Sequence, residues 1–321
     1  MRTWKQFTVA AAIAALLPAS VLAAFPERPI RLIVPFPPGG STDVVARRVA
    51  VKAQQLLGQS IVVENRGGAG GIVGTEAVAR AERDGYTLLL CQTSHGANPA
   101  LRRSLPYDSE KDFTPIAWLA DHPGLLIAHP SKPYENFADF VRHVKANPGT
   151  VTYASAGGGT FPHLTMAMLE LNDGIRMVHV PYKGAGPARV DLLAGRVDVR
   201  IDAYVTAIGL LKEGKLKALA VTGRERIPQM PQLPTVAESG FPDFESSIWM
   251  GIMGPAGLPA DVTAKLERVF IDAAKDSEIA RQLNDDGVYV RGRSGSDLGA
   301  LIRGEIAKWR RVVKASGIQP E

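Results

Sequence analysis

Short apolar segments alternate along the chain with longer segments in which apolar residues recur every three or four positions. Residues 30–35 form the first apolar segment, and a 3.6-residue apolar period runs over residues 44–57 after a Gly-rich turn. This switch predicts a buried strand followed by an amphipathic helix. The same criteria predict strands at residues 61–63 and 86–91, with a helix at 73–82 between them. The alternation is typical of an α/β fold.

The same order of elements recurs in the second half of the chain. A strand at residues 151–153 enters a Gly-rich turn and a helix, and strands at 177–180 and 196–201 follow, separated by another helix. In both halves a basic residue, Arg66 or Lys183, precedes closely spaced glycines after the second strand. We therefore predict two similar α/β lobes, and a cleft between two lobes is a preferred place for a ligand.

The two Gly-rich turns, at residues 36–43 and 154–160, are the best candidates for a binding site. Each joins the carboxyl end of a strand to the start of a helix, where N–H groups are unpaired and the helix dipole is positive. Ser41, Thr42 and Thr160 add hydroxyl donors, so the turns suit a carboxylate or a phosphate. The alternative is that Ser41, Thr42 and Asp43 only cap a helix. The presence of two such turns favours a site.

The N-terminus has the pattern of an export signal. Arg2 and Lys5 precede an uncharged apolar run at residues 7–17, and a small-residue cleavage pattern ends at Ala23. We predict a cleaved signal peptide at residues 1–23. The alternatives are a buried helix or a membrane anchor, but the run is shorter than the about 20 residues that span a bilayer.

The composition narrows the class of protein. A chain of 321 residues, of which 45% are hydrophobic and 21% charged, has room for two folded domains. The single cysteine, Cys91, excludes an internal disulfide and is expected to be a small buried residue in its strand. The net charge of +5 is spread along the chain and does not point to nucleic acid.

The sequence motifs typical of catalytic, cofactor and metal sites are either absent or wrongly spaced. Residues 68–74 read G-x-G-x-x-x-G, which differs from the dinucleotide fingerprint, and the turn at Gly40 lacks the lysine of a P-loop. None of the six histidines forms an H-x-x-x-H or H-E-x-x-H pair, and there is no G-x-S-x-G elbow. We therefore predict no catalytic residue, no cofactor and no metal, and a protein that is not an enzyme.

Several segments, in order along nearly the whole chain after residue 23, resemble the Bug family, the solute-binding proteins of tripartite tricarboxylate transporters. The segments are PFPPGGSTD at 35–43 with Arg47, NRGGAGG at 65–71, VPYKG at 180–184, DLLAGRVD at 191–198, GKLKALAVT at 214–222, WMG at 249–251 and PAGLP at 255–259.

This resemblance implies an α/β, two-lobed periplasmic-binding-protein (Venus flytrap) fold, in which each lobe is a mixed sheet flanked by helices. Two strands, near residues 121–126 and 246–254, are expected to cross between the lobes. Lobe 1 then comprises residues 24–123 with 248–321, and lobe 2 comprises residues 124–247.

The resemblance also implies, by position, which residues contact the ligand. Most belong to the two Gly-rich turns, and the others to the loop after the third strand, to a helix start and to a later strand end. They are Phe36, Pro38, Gly40, Ser41, Thr42, Ser94, His95 and Asn98 from lobe 1, and Ala156, Gly158, Gly159, Thr160, His163 and Asp202 from lobe 2.

Four positions in lobe 2 admit two interpretations. His163 either contacts the ligand or faces solvent at a helix start, and for Lys183 a surface position is favoured over an anion contact. Asp202 repels a carboxylate, so it is expected to accept a donor from the ligand or to hold water. Arg200 replaces the apolar residue usual in the family. We favour a local ion pair with Asp198 or Asp202 over a contact with a second ligand carboxylate.

The resemblance implies that the protein captures a small carboxylate, which is an organic acid, an amino acid or an aromatic acid. It implies delivery to the membrane permease of a tripartite tricarboxylate transporter, by a monomer in the periplasm that binds no nucleic acid. One alternative is a periplasmic sensor or partner-binding protein on the same fold. Another is an extracytoplasmic enzyme that uses Ser94, His95 or His163, which the missing triad and metal spacings disfavour.

Overall fold

The computed structural model describes residues 25–171 and 174–320, so the predicted signal peptide, residues 1–23, lies outside the described residues. The strands are β1 (Ile30–Val34), β2 (Ile61–Asn65), β3 (Thr87–Gln92), β4 (Phe113–Ala128), β5 (Thr152–Ser155), β6 (Val178–Pro181), β7 (Val199–Ala203), β8 (Lys217–Val221), β9 (Ser247–Pro255) and β10 (Tyr289–Ser294). The helices are α1 (Ser41–Leu57), α2 (Ile72–Ala79), α3 (Thr93–Leu101), α4 (Phe137–Ala146), α5 (Phe161–Glu170), α6 (Ala185–Leu193), α7 (Tyr204–Lys212), α8 (Ala260–Lys275), α9 (Ser277–Asp285) and α10 (Gly295–Ser316).

The strands form one hydrogen-bonded network in the order β2–β1–β3–β9–β4–β7–β5–β6, with β8 and β10 paired to β4. Strand β1 is parallel to β2 and β3, and β5 is parallel to β6 and β7. Strand β4 runs antiparallel to all its partners, and β9 runs antiparallel to β3 and β4. Two groups of parallel strands are thus joined through β9 and β4.

The long strand β4 changes partners part-way along its length. Its residues up to Pro123 pair with β9, and from Gly124 onward it pairs with β7 and β8. Strand β9 returns along β4, starting at Ser247 opposite Pro123. The predicted two-lobed α/β fold with two crossover strands is therefore confirmed.

The C-terminal helices pack on the first group of parallel strands and its helices. Helix α8 packs on α1, and α10 packs on α3 and on β4. Trp309 of α10 is fully buried in a cluster that includes Ala97 and Leu101 of α3. The C-terminal helices thus contact helices of the first strand group, and α10 also contacts α5.

The prediction that Ser94, His95 and Asn98 lie in a loop is wrong, because these residues lie in helix α3. Gly96 and Pro99 both disfavour a helix in isolation. Packing against α10 compensates, since a Cβ at Gly96 would lie only 2.9 Å from the Cβ of Glu305. The predicted strand at residues 196–201 is also displaced, and β7 begins at Val199.

Candidate functional site

A cavity of about 80 Å³ lies at the carboxyl ends of the parallel strands of both groups. This is the edge of an α/β sheet at which ligands usually bind. Its lining residues are Phe36, Pro37, Gly40, Ser41, Thr42, Asp43, Gln92, His122, Ala156, Thr160, Phe161, Pro162, Gly184, Ala185, Arg200, Ile201, Asp202, Ala203 and Ile248.

Five helices begin at this cavity, each directly or shortly after a parallel strand. Their N-cap residues all line the cavity, and none of the five side chains accepts a hydrogen bond from its own helix. These N-caps are Gly40 of α1, Gln92 of α3, Thr160 of α5, Gly184 of α6 and Ala203 of α7. By contrast, the side chains of Asn136, Asp276 and Ser294 cap α4, α9 and α10.

The uncapped helix starts give the cavity the electrostatics of an anion site. A helix start presents unpaired N–H groups and the positive end of a helix dipole. At α7 the carboxylate of Asp202 already accepts from the N–H of Ala203. At Gly40 the backbone is extended, and a Cβ would meet no atom within 4 Å. A capping Ser or Asp would therefore fit there, and glycine leaves the N–H groups of α1 available to a ligand.

Two arginines share one carboxylate in the wall formed by β7 and α6. The guanidinium of Arg189 donates to both oxygens of Asp202, from Nε at 3.0 Å and from Nη2 at 3.3 Å. Arg200 lies 3.4 Å from Asp202 Oδ1 and donates at 2.8 Å to the carbonyl of Ala185. Burial alone would raise the pKa of Asp202, but the two arginine charges and the bonds from Arg189 and Thr206 lower it below its usual value.

Ser41 is bonded to a histidine of the crossing strand. Nδ1 of His122 lies 2.9 Å from the carbonyl of Pro123, which only accepts, so Nδ1 carries the proton. Burial lowers the pKa of His122 to about 4, against the Pro123 bond and the charge of Asp202, so the ring is neutral near pH 7. Nε2 then accepts from the Ser41 hydroxyl at 3.1 Å. Ser41 Oγ therefore offers lone pairs to the cavity.

The hydroxyl of Thr160 also donates its hydrogen bond within the protein. Its Oγ1 donates at 2.7 Å to the carbonyl of Gly157. The hydroxyl donors expected from Ser41 and Thr160 are thus engaged. Other residues with side-chain donors also line the cavity, namely Thr42, Gln92 and Arg200, besides the backbone N–H groups of the helix starts.

Seven of the fourteen residues predicted to contact the ligand line this cavity together. They come from the turn after β1, the turn after β5 and the end of β7, and they are Phe36, Gly40, Ser41, Thr42, Ala156, Thr160 and Asp202. Their contact with a ligand stays a prediction.

The other seven predicted residues lie outside the lining of this cavity. Gly158 lines a neighbouring cavity, and the side-chain oxygen of Asn98 would lie 3.1 Å from a Cβ at Gly159. His95 is buried in α3, with Nε2 2.8 Å from the carbonyl of Ser109. Ser94 is buried beside Gln92, and Pro38 is exposed in the turn after β1.

His163 is buried at the start of α5, not exposed to solvent. Its Nδ1 accepts from the N–H of Gly159 at 3.1 Å, and its ring stacks on His179 at 4.2 Å. His179 in turn bonds to Ser155 Oγ at 2.6 Å. These contacts fix the conformation of the turn after β5, whose residues Ala156 and Thr160 line the cavity.

Sequence reasoning missed several residues of the site. Arg189, His122 and Gln92 were not predicted, and neither were the N-caps Gly184 and Ala203. The two N-caps follow parallel strands, as the two predicted turns do, so the strand–helix order in the sequence could have predicted them. Arg189 and His122 approach the site only through packing of α6 and β4, which no local pattern reveals.

A second cavity, of about 470 Å³, adjoins the first and shares Phe36, Pro37, Ala156 and Gly184 with it. Segments of the two predicted lobes approach closely here. A Cβ at Gly70 would lie 2.7 Å from the carbonyl oxygen of Gly158, and one at Gly184 would lie 3.0 Å from Cγ of Pro37. Lys183 is exposed at the rim of this cavity.

Two further findings concern the part of the chain that the structure describes. No group of three or more His, Cys, Asp or Glu residues there is arranged to hold a metal ion. No helix between residues 25 and 320, apart from the two residues left out at 172–173, is long and apolar enough to cross a membrane.

Together, the fold and the site define a two-lobed binding protein with a cavity at the edge shared by its two strand groups. Residues 45–318 match the family described as "Tripartite tricarboxylate transporter family receptor". The periplasmic binding protein BugD is 36% identical with a TM-score of 0.88, over 92% of this chain and 100% of that one.

Two similar solved structures contain a carboxylate. A Rhodopseudomonas palustris protein with adipate is 33% identical, with a TM-score of 0.89 over 92% of this chain and 100% of that one. MatC from Rhodopseudomonas palustris, with bound malate, is 36% identical, with a TM-score of 0.84 over 90% and 100%. The chain therefore belongs to the tripartite tricarboxylate transporter receptors of the Bug type, a family of periplasmic solute-binding proteins and not of enzymes.

Proposed function

We propose that the protein captures a small organic acid by its carboxylate in the 80 Å³ cavity. The observation that carries the proposal is the convergence of five helix starts without side-chain caps on one cavity. Such a set of N–H groups and dipoles favours a negative charge over any other ligand chemistry. The related structures with adipate and malate support it, since both ligands are carboxylates.

The body of the acid lies against an apolar wall. Four large apolar side chains line the cavity together with the helix starts, those of Phe36, Phe161, Ile201 and Ile248. The wall accommodates the carbon skeleton of an organic acid, an amino acid or an aromatic acid, and the helix starts bind its charged end.

The ligand is enclosed by closure of two lobes, residues 24–123 with 248–321 and residues 124–247. The change of partners on β4 at Pro123 and Gly124 supports a boundary there. The packing of α8 and α10 on the first group supports the return of the chain end to lobe 1. Closure of two domains on a hinge is a common response of binding proteins to their ligands.

The captured acid is then delivered to the membrane permease of a tripartite tricarboxylate transporter. Membership of the receptor family supports this partner, and the export pattern of residues 1–23 supports a periplasmic location. The protein acts as a monomer, because one cavity enclosed by one chain is sufficient for capture.

The first test uses two substitutions of Gly40 that differ only in charge. The Gly40→Asp side chain caps α1 and adds a negative charge at the cavity, so we expect carboxylate affinity to fall at least about 100-fold while thermal stability is kept or raised. Gly40→Asn caps the helix without the charge and should lose less affinity. The acid released from purified protein is identified by mass spectrometry. Calorimetric titration with that acid measures the affinity of each variant, and thermal unfolding measures its stability.

Two outcomes contradict the proposed function. One is a released ligand that carries no acidic group. The other is a Gly40→Asp variant that is folded, by circular dichroism, and binds organic acids as tightly as the wild type does.

A further inference from the structure

The wall formed by β7 and α6 contains more positive than negative charge. Arg200 and Asp202 point to the same face because they are two residues apart in β7, and Arg189 reaches them from α6. The side chains of Arg200 and Asp202 are 2% and 5% exposed, and that of Arg189 is 19% exposed. Two guanidinium groups therefore share a single carboxylate in a nearly dry environment.

Most of the acceptor capacity of Asp202 is used within the protein. Its Oδ1 accepts from Thr206 at 2.7 Å and from the N–H of Ala203 at 2.9 Å, in addition to both arginines. Its Oδ2 accepts from Nε of Arg189 and retains one lone pair. Asp202 Oδ1 is thus fully occupied, and a donor group of a ligand would bond to Oδ2, beside the guanidinium of Arg189.

Arg200, by contrast, has N–H donors that no described residue accepts. A guanidinium has five N–H donors, and Arg200 uses three of them within the described residues. They go to the carbonyls of Ala185 and Ile201 and, at 3.4 Å, to Asp202. The Asp202 contact is long, and Arg189 already pairs with both oxygens of that carboxylate. Arg200 and Arg189 thus share one carboxylate, and the three side chains together carry a net charge of +1.

A buried cation that shares its anion with a second cation is unfavourable. Burial lowers the pKa of Arg200, the Asp202 charge opposes this, and the Arg189 charge adds to it. The group lines the same cavity as the five helix starts, so a ligand held there by one carboxylate is in reach of it. A second carboxylate on that ligand would supply the missing negative charge and accept the remaining N–H groups.

We infer that Arg200 binds a second carboxylate of the ligand, and that the cavity therefore selects dicarboxylates over monocarboxylates and amino acids of the same length. This inference rests on the proposed capture of a carboxylate in the same cavity. It names a residue that determines specificity, and it also accounts for rejection of amino acids, since their ammonium group would face the net positive charge of Arg189, Arg200 and Asp202 together.

The test compares acids of equal chain length by calorimetric titration. Succinate, glutarate and adipate are each paired with butyrate, pentanoate or hexanoate, and glutamate is compared with glutarate. For the best-fitting length we expect the dicarboxylate to bind about 10- to 100-fold more tightly than its monocarboxylate partner, the range of a charged hydrogen-bonded contact. Glutamate should bind more weakly than glutarate.

Variants then assign the preference to Arg200. Arg200→Met keeps most of the side-chain length without charge and should reduce the preference for dicarboxylates to about twofold or less, with little change in monocarboxylate affinity. Arg200→Lys keeps the charge without the planar fork and should retain part of the preference. Arg196→Gln is the matched control, because Arg196 pairs with Asp191 at an exposed position, and it should bind as the wild type does.

The outcomes separate this inference from the proposed function. If no acid of either kind binds folded wild-type protein, the proposed function fails. If both kinds bind wild-type protein equally, or Arg200→Met keeps the full preference, the inference is overturned while carboxylate capture stands. Equal binding by wild-type protein overturns the inference without any variant. If Arg200→Met does not fold, which circular dichroism and thermal unfolding reveal, Arg200→Lys tests the assignment, and an unreduced preference in that variant would contradict it.

Discussion

Two histidines in the interior of the protein are held in their neutral form. His95 is fully buried in α3, where its ring stacks on Tyr107 and its Nε2 bonds to a backbone carbonyl. His122 is buried in β4 and bonded to Ser41. Burial lowers the pKa of each to about 4, against the smaller opposing effect of their backbone carbonyl bonds. Protonation of either ring would place an uncompensated charge in an apolar core.

Both histidines make the protein less stable in mild acid. Below about pH 6.5 the unfolded chain binds a proton at each histidine and the folded protein does not, so the free energy of unfolding falls between about pH 6.5 and pH 4. Each contributes up to about 3 kcal/mol to this loss. Denaturant titrations across this range should show a smaller loss for His95→Gln and for His122→Gln, and the smallest for the double variant. An unchanged pH dependence in the double variant would contradict this assignment.

At the scale of elements, β4 is the connection between the two strand groups, and its central glycine marks the change of partners. A Cβ at Gly124 would lie 2.3 Å from Cγ2 of Ile201 and 3.0 Å from Cε1 of Phe161. Ile201 and Phe161 both line the cavity. The absence of a side chain at this position therefore allows β4 to pass close to the cavity wall.

Gly124→Ala should destabilise the protein by about 1–3 kcal/mol, because close packing leaves no space for an added methyl group. It should also weaken ligand binding, since Ile201 and Phe161 must shift. Gly209→Ala in α7 is the control, as a Cβ there meets no atom within 4 Å. That variant should be neutral or stabilising by up to about 1 kcal/mol. Denaturant unfolding and calorimetric titration of both variants check the prediction, and equal behaviour would contradict it.

At the scale of the whole molecule, the described structure has the two sides of the cleft in contact. Gly70 has φ of +67°, a left-handed conformation, and it lies against the Gly158 carbonyl of the other strand group. Asn98 and Leu101 of α3 lie near Gly159 in the same way. The glycines of the motifs at residues 65–71 and 154–160 thus allow two backbone segments to meet at the second cavity, which adjoins the first.

Gly70→Ala should oppose closure, whereas Gly58→Ala should not. Gly58 has nearly the same φ, +68°, but a Cβ there meets no atom within 4 Å. Both variants should lose about 1 kcal/mol of stability from the left-handed backbone. Only Gly70→Ala should also bind the ligand about 10-fold more weakly and remain more extended with ligand in small-angle X-ray scattering. Equal affinity in the two variants would argue against closure through this contact.

Much of the fold was predictable because it depends on local chemistry. Strands β1, β2, β3, β5 and β6 are confirmed to within two residues, since apolar runs and Gly-rich turns mark them clearly. Cys91 is confirmed as a buried residue of β3, and burial raises the pKa of its thiol. Helix α3 was missed because its stability comes from α10, about two hundred residues later in the chain.

The sequence by itself determined the α/β class, the duplicated strand–turn–helix order and the two Gly-rich turns at helix starts, because these follow from periodicity and from the positions of glycine. Only the tertiary structure decided that five helix starts meet at one cavity, that the Ser41 hydroxyl is turned towards His122, and that Arg189 and Arg200 share the carboxylate of Asp202. These properties depend on distances between residues far apart in the chain, and such distances are set by packing of whole elements.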